Sequence, residues 1–310
     1  MLNWQGVTIS GIDATGSPGY SKGVLILLTN DDGIYAPGLA ALERELSALG
    51  EVRVVAPSQE QSGVGHSITY LTPLIVKEVH DGDKPWGWAV EGSPADCVKL
   101  GVSQLCPRRP DLVVSGINSG LNVGINVLYS GTVAAALEGA FFRITSMAVS
   151  LEFSEHAPFE KAARLARSLI TQILEKKTAE PQLYNLNIPT AALNGSPEVR
   201  VVPMDTTQYG ERFEARTDPW GRPYYWATGL PLPLLGTEET DLTAISRGKV
   251  TLTPLGFNLT RRDVLESMRP WQFRLDQAEL TVDHQRARMR RPVVSTIRQR
   301  QAAGEDQTNG

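Results

Sequence analysis

The chain has 310 residues, 41% of them hydrophobic and 21% charged, a balance that suits one large α/β domain with an appendage, or two domains with full cores. A formal net charge of −4 excludes a general nucleic-acid binder, and no apolar stretch approaches the roughly 18 residues that a membrane helix needs. Cys97 and Cys106 are the only cysteines, too few and too poorly spaced for a disulfide framework or a zinc site.

Residues 1–22 lack the basic start, apolar centre and cleavage site of a signal peptide. They are rich in Gly and Ser from Gly11 onward and are expected to form a flexible extension, with the cytoplasm as the compartment. Val24-Leu25-Ile26-Leu27-Leu28 is a continuous apolar run, the pattern of a strand buried on both faces. Leu39, Leu42, Leu46 and Leu49 then make one helical stripe, which Gly50 stops. Residues 52–56 form the next strand. Residues 74–79 and 87–90 look like two strands in a row, joined by a turn at Asp81-Gly82-Asp83. Ser93, Pro94 and Asp96 are the cap, first residue and first-turn acid of a helix.

Short apolar strands follow at residues 112–114 and 147–151. A helix over residues 159–176 places Ala162, Ala166, Leu169 and Ile173 on one face. Residues 183–188 close the series at Pro189. Alternating strands and helices over residues 23–195 predict an α/β domain built on a parallel sheet covered by helices. Residues 196–280 are rich in Thr, Tyr, Trp and Pro, with strand-like stretches at residues 222–228 and 249–254. They predict a C-terminal β-hairpin extension that projects from the main domain and returns to it. The tail over residues 281–310 holds six Arg against Asp283, Glu305 and Asp306, a net +3. It is expected to be solvated and disordered.

Four polar clusters stand out. Asn30-Asp31-Asp32-Gly33 follows the first strand directly. Two adjacent carboxylates there call for a positive charge, and a divalent cation supplies it. A turn with a helix cap explains the same pair. The loop Ser58-Gln59-Glu60-Gln61-Ser62-Gly63-Val64-Gly65-His66-Ser67 follows the second strand. Ser62 offers a hydroxyl to a metal, and His66 offers a phosphate contact or a general acid; a mobile surface loop is the plainer reading. Ser115-Gly116-Ile117-Asn118-Ser119-Gly120-Leu121-Asn122-Val123-Gly124 combines glycines, which let backbone approach a ligand, with carboxamides that serve cation or anion. Tyr129-Ser130-Gly131-Thr132 opens a helix whose N-terminus suits phosphate, although an ordinary N-cap also explains it. Three of the clusters lie just past strand ends, and the fourth opens the next helix. Open α/β sheets bind ligands at that edge, so one metal–phosphate site explains all four. No dinucleotide fingerprint and no NTP-binding loop occurs in the sequence.

These residues resemble the SurE survival-protein family of 5′/3′-nucleotidases. Leu28-Thr29-Asn30-Asp31-Asp32-Gly33-Ile34-Tyr35-Ala36-Pro37-Gly38 looks like the family's opening motif. Val54-Val55-Ala56-Pro57 with Gln61-Ser62-Gly63, Val114-Ser115-Gly116-Ile117-Asn118-Ser119-Gly120 and Tyr129-Ser130-Gly131-Thr132-Val133-Ala134-Ala135-Ala136 follow in the family's order. Glu91-Gly92-Ser93-Pro94-Ala95-Asp96-Cys97-Val98, Asn185-Leu186-Asn187-Ile188-Pro189 and Thr240-Asp241-Leu242 are also similar.

The resemblance runs from about Val24 to Thr260 and implies a Rossmann-like, three-layer α/β fold over residues 23–195 with a C-terminal β-hairpin extension. It implies one Mg²⁺ or Mn²⁺ per subunit, held by Asp31, Asp32, Ser62 and Asn118. It implies phosphate contacts from Asn122, Ser130, Gly131 and Thr132. It further implies nucleoside 5′- and 3′-monophosphates as substrates and a hairpin used in a homodimer or homotetramer. The expected reaction is phosphomonoester hydrolysis, with Asp31 and Asp32 as the catalytic pair. Two alternatives stand beside it. An aspartyl-phosphate enzyme would space its two Asp by one residue, unlike Asp31 and Asp32. A non-catalytic nucleotide sensor would have no need of the full ligand set.

Overall fold

A computed structural model of the chain describes residues 23–207, 211–229 and 239–274. The expected N-terminal extension and basic tail lie outside the described residues. Those described group into two units, one ending at Phe257 and one beginning at Asn258.

The first unit is built on a nine-stranded sheet and a separate two-stranded one. In chain order its elements are β1 (Leu25–Thr29), α1 (Pro37–Leu46), β2 (Glu51–Pro57), β3 (Val76–Asp81), β4 (Lys84–Val90), α2 (Pro94–Leu100) and β5 (Leu112–Ser119). There follow α3 (Gly131–Phe141), β6 (Thr145–Leu151), α4 (Phe159–Lys176), β7 (Leu183–Ile188) and β8 (Val199–Val201). Last come β9 (Glu211–Thr217), β10 (Pro223–Gly229), α5 (Asp241–Ser246) and β11 (Val250–Leu255). The sheet order is β3-β4-β2-β1-β5-β6-β7-β11-β8, and the run from β4 to β7 is parallel.

β1 explains why the core has two sides. Ile26 and Leu28 pack with Leu39 and Leu42 of α1 and Ala162 and Ala166 of α4. Leu27 points the other way, into a cluster with Cys97 and Val98 of α2 and Ala135 of α3. Successive side chains of a strand alternate between faces, so an unbroken apolar run buries both. The result is helix, sheet, helix.

Three expectations shift. The sheet is not wholly parallel, because β3 and β11 pair antiparallel at its flanks. The strand expected near residues 249–254 is not part of the projecting region. It is β11, inserted between β7 and β8 with Val250, Thr251, Leu252 and Thr253 all buried. Burial on both faces makes it a core strand. The hairpin proper is the separate two-stranded pair of β9 and β10. On α4, Ile170 is buried while Leu169 and Ile173 are only partly so, which moves the centre of the stripe by one residue.

The chain runs outward from β1 to β2 and then crosses back to β5 on β1's other side. That reversal is the topological switch point, where open α/β sheets form their ligand crevice. The second unit contains α6 (Arg262–Met268), none of whose residues is buried. No helix among the described residues is long and apolar enough to cross a membrane.

Candidate active site

The turn after β1 is fixed from within. Asn30 is buried, and its Nδ2 donates to the Gly33 carbonyl at 2.9 Å. Asp31 is buried as well, and Oδ1 accepts the Thr132 hydroxyl. Asp32 is half-buried, and its Oδ2 accepts the Ser119 N–H at 3.1 Å. Burial pushes the Asp31 carboxyl above its ordinary range, against the bonds from Thr132. Burial first, and then the charge of Asp31, push Asp32 up to about 6. Among the described residues no Lys, Arg or His ion-pairs with either carboxylate. Two crowded carboxylates without a protein cation fit a divalent ion.

β5 brings the second part of the site. Its register against β6 shifts between Ser115 and Asn118, at the point where Gly116 takes φ 140°. A Cβ on Gly116 would stand 2.3 Å from the Val149 carbonyl oxygen, so only glycine lets β5 run this close to β6. Beyond the shift, Asn118 Nδ2 donates to the Gly120 carbonyl at 2.7 Å. That bond orients the carboxamide and leaves Oδ1 as the atom for a hard cation.

The chain then turns inward, and Asn122 is buried. Its N–H donates to Asn187 Oδ1 at 2.8 Å, and its Nδ2 donates to Ser150 Oγ at 2.8 Å. Its carbonyl accepts from Asn185 Nδ2 at 2.7 Å and Asn187 Nδ2 at 3.1 Å. Gly124 N–H donates to the buried Asp241 at 2.8 Å. Asn122, expected as a phosphate contact, thus spends one of its two amide protons bracing the loop.

The loop after β2 is exposed but tied down. Gln61 N–H donates to the Asp31 carbonyl at 2.7 Å, which ties the residue before Ser62 to the turn after β1. Ser62 is exposed, and its hydroxyl donates to Glu60 at 2.5 Å. Gly65 N–H donates to the Tyr129 carbonyl at 3.0 Å. His66 Nε2 lies 2.7 Å from Glu138 Oε2, and its ring stacks on Phe141. Glu138 is buried and also receives Lys99 Nζ at 3.2 Å. Burial pushes this carboxyl up, but the bonds from His66 and Lys99 outweigh it and hold the group below its ordinary value. His66 therefore fastens the loop to α3 rather than standing free as an acid.

α3 begins at the aspartates. Ser130 caps it, its hydroxyl oxygen accepting the Val133 N–H at 3.1 Å. Thr132 gives its hydroxyl to Asp31. A Cβ on Gly131 would stand 2.9 Å from the Asp31 Cβ, so glycine is what lets helix and carboxylate meet. The positive end of the α3 dipole faces the same place.

Each expected metal ligand is thus an aspartate of the pair or lies next to a residue hydrogen-bonded to that pair. Among the described residues, no three or more His, Cys, Asp or Glu gather as a metal cluster. Two carboxylates with a hydroxyl and a carboxamide oxygen form an oxygen-only set, suited to Mg²⁺ or Mn²⁺. Sequence reasoning missed Glu60, Lys99, Ser119 and Glu138. Glu138 had a signal, as the single charge in Val133-Ala134-Ala135-Ala136-Leu137-Glu138-Gly139-Ala140.

The chain is similar to known proteins over most of its length. The family model described as survival protein SurE matches residues 26–213. The 5′-nucleotidase SurE of Rhodopirellula baltica is 60% identical over 250 residues, covering 80% of this chain and 99% of that protein. The 5′-nucleotidase SurE 1 of Thermus thermophilus is 46% identical over 249 residues, covering 78% and 96%. The crystal structure of the SurE protein from Aquifex aeolicus superposes with a TM-score of 0.69 at 39% identity, covering 79% of this chain and 98% of that one.

Proposed function

The chain belongs to the survival protein SurE family, and on that premise we propose that it is a 5′-nucleotidase. It hydrolyses nucleoside 5′-monophosphates, and 3′-monophosphates as well, to nucleoside and phosphate. The observation that carries the reading is the pair Asp31 and Asp32 at the switch point. They are buried and half-buried and ion-pair with no Lys, Arg or His among the described residues, and Asp31 meets the start of α3.

Asp31, Asp32, Asn118 Oδ1 and Ser62 Oγ would hold one Mg²⁺ or Mn²⁺, which when bound supplies Lewis-acid polarisation of a phosphoryl oxygen. The N–H groups at the start of α3, around Ser130, Gly131 and Thr132, donate to the phosphate oxygens. The remaining amide proton of Asn122 gives a further donor. These fixed dipoles stabilise charge on the equatorial oxygens without reorganising. Asp32, the more solvent-facing carboxylate, takes the proton of the attacking water.

The test is a phosphate-release screen over nucleoside monophosphates with Mn²⁺, with and without a chelator. Release that stops on chelation is expected. No release from any of them would leave the chain a nucleotide-binding protein without turnover. The free thiols of Cys97 and Cys106 suit a reducing, cytoplasmic compartment. The hairpin of β9 and β10 exposes Phe213, Tyr225 and Trp226, and two strands alone are marginal in water. We assign it to subunit contacts in a homodimer or homotetramer, so Trp226→Ser should lower the mass seen by light scattering.

A further inference from the structure

A cleft of about 660 Å³ is lined by Pro37, Ser119, Phe153, Glu155, His156 and Phe159 among others. Its size falls within the roughly 300–1,000 Å³ of small-molecule sites. Two links join it to the proposed catalytic centre. Ser119 lines the cleft while its N–H holds Asp32. Pro37 opens α1, directly after the turn that carries both acids. A molecule whose phosphate sits at the start of α3 and whose body extends past Asp32 therefore enters this cleft.

The walls are aromatic and the rim is polar. Phe153 is 74% exposed and takes part in no ring contact among the described residues. A single exposed phenyl is ordinary on a surface; this one borders a cleft shared with Ser119, whose N–H holds Asp32. The backbone at Phe153 is not loose. The preceding Glu152 accepts from Thr190 N–H at 2.8 Å and from the Thr190 hydroxyl at 2.7 Å. Phe159 stands deeper, its ring 3.0 Å from where a Cβ on Gly38 would lie. Glu155 and His156 on the rim supply an acceptor and a switchable donor or acceptor.

We propose that this cleft is the nucleoside subsite, with the base stacked on Phe153 and the ribose or base edge met by Glu155 and His156. The proposal rests on the phosphatase reading for its substrate and adds the residue that distinguishes a nucleotide from a bare sugar phosphate. Stacking on an aromatic side chain favours every base, so the subsite selects for a base without choosing among bases.

The test compares Phe153→Ala and Phe153→Trp with wild-type protein on adenosine 5′-monophosphate and on ribose 5-phosphate, which lacks the base. For Phe153→Ala the loss of kcat/KM on the nucleotide should exceed that on ribose 5-phosphate by roughly tenfold, the size of a lost base–aromatic stack, and should appear in KM. Phe153→Trp should restore it. Equal losses on both substrates, or none, overturn the subsite. Adenosine binding by calorimetry decides the inference apart from turnover. Wild-type protein should bind adenosine roughly tenfold more tightly than Phe153→Ala, and a wild type that binds none overturns the proposal. Failure to release phosphate from either substrate would instead remove the phosphatase reading and leave the calorimetric result to judge the cleft.

Discussion

The two halves of the site are held in different ways. Asp31, Asn122 and Thr132 are buried, and each is bonded to a neighbour on another element. Ser62 is exposed, and among the described residues its hydroxyl bonds to Glu60, two residues away. Next to it, Gly63 has no neighbour within 4 Å of where a Cβ would stand. The loop is fastened on either side, at Gln61 to Asp31 and at His66 to Glu138. Preorganised charge thus lies in the sheet edge and the start of α3, while the loop carries Ser62, one of the proposed ligands, on a short untied tip. Groups held in the core can be aimed without cost at the moment of reaction, whereas a ligand on a tip can follow substrate entry and exit.

Four substitutions would break or sharpen this contrast. Asp31→Asn removes charge from the rigid half and should lower kcat by roughly three orders of magnitude, the several kcal/mol that metal-assisted stabilisation supplies. Unchanged turnover would dissolve the metal site. Gly131→Ala sets a Cβ 2.9 Å from Asp31 and should cost on the order of 10- to 100-fold in kcat/KM through misplacement. A normal circular dichroism spectrum would separate that loss from unfolding.

Ser62→Ala, on the adjustable half, should cost only about tenfold, because water can take the place of an exposed hydroxyl. A loss as large as that of Asp31→Asn would show the halves to be equivalent. Glu138→Gln should change kcat least and act on stability. The folded pKa lies below the ordinary 4.5, so the stabilisation is present above that value and is lost as pH falls through the folded one. The wild type should melt about 2–4 °C higher at neutral pH, for about 1 kcal/mol, and the gap should close in acid. A gap that widened in acid would contradict the arrangement of His66, Glu138 and Lys99.

Much of the fold was legible because β1, α1 and α4 obey local rules. The unbroken apolar run of residues 24–28, the leucine spacing of α1 and the bounds of α4 each follow from periodicity. The place of β11 was not legible, since it lies far along the chain from its partner β7 and its Thr and Leu pattern also suits a projecting strand. The two aspartates, Asn118 and the start of α3 could be picked out because such polar groups are costly at a buried strand end without a shared purpose. The partnership of His66 with Glu138 could not, because 72 residues separate the pair. Nor could the inward turn of Asn122, because the Asn185 and Asn187 that hold it sit on β7.

Diffraction above the manganese edge from crystals soaked in Mn²⁺ and phosphate puts the central claim to its most direct test. One anomalous peak per subunit is expected, touching a carboxylate oxygen of both Asp31 and Asp32 and the Oδ1 of Asn118, with phosphate between it and the start of α3. A peak elsewhere, or two aspartates with no ion between them, would contradict it.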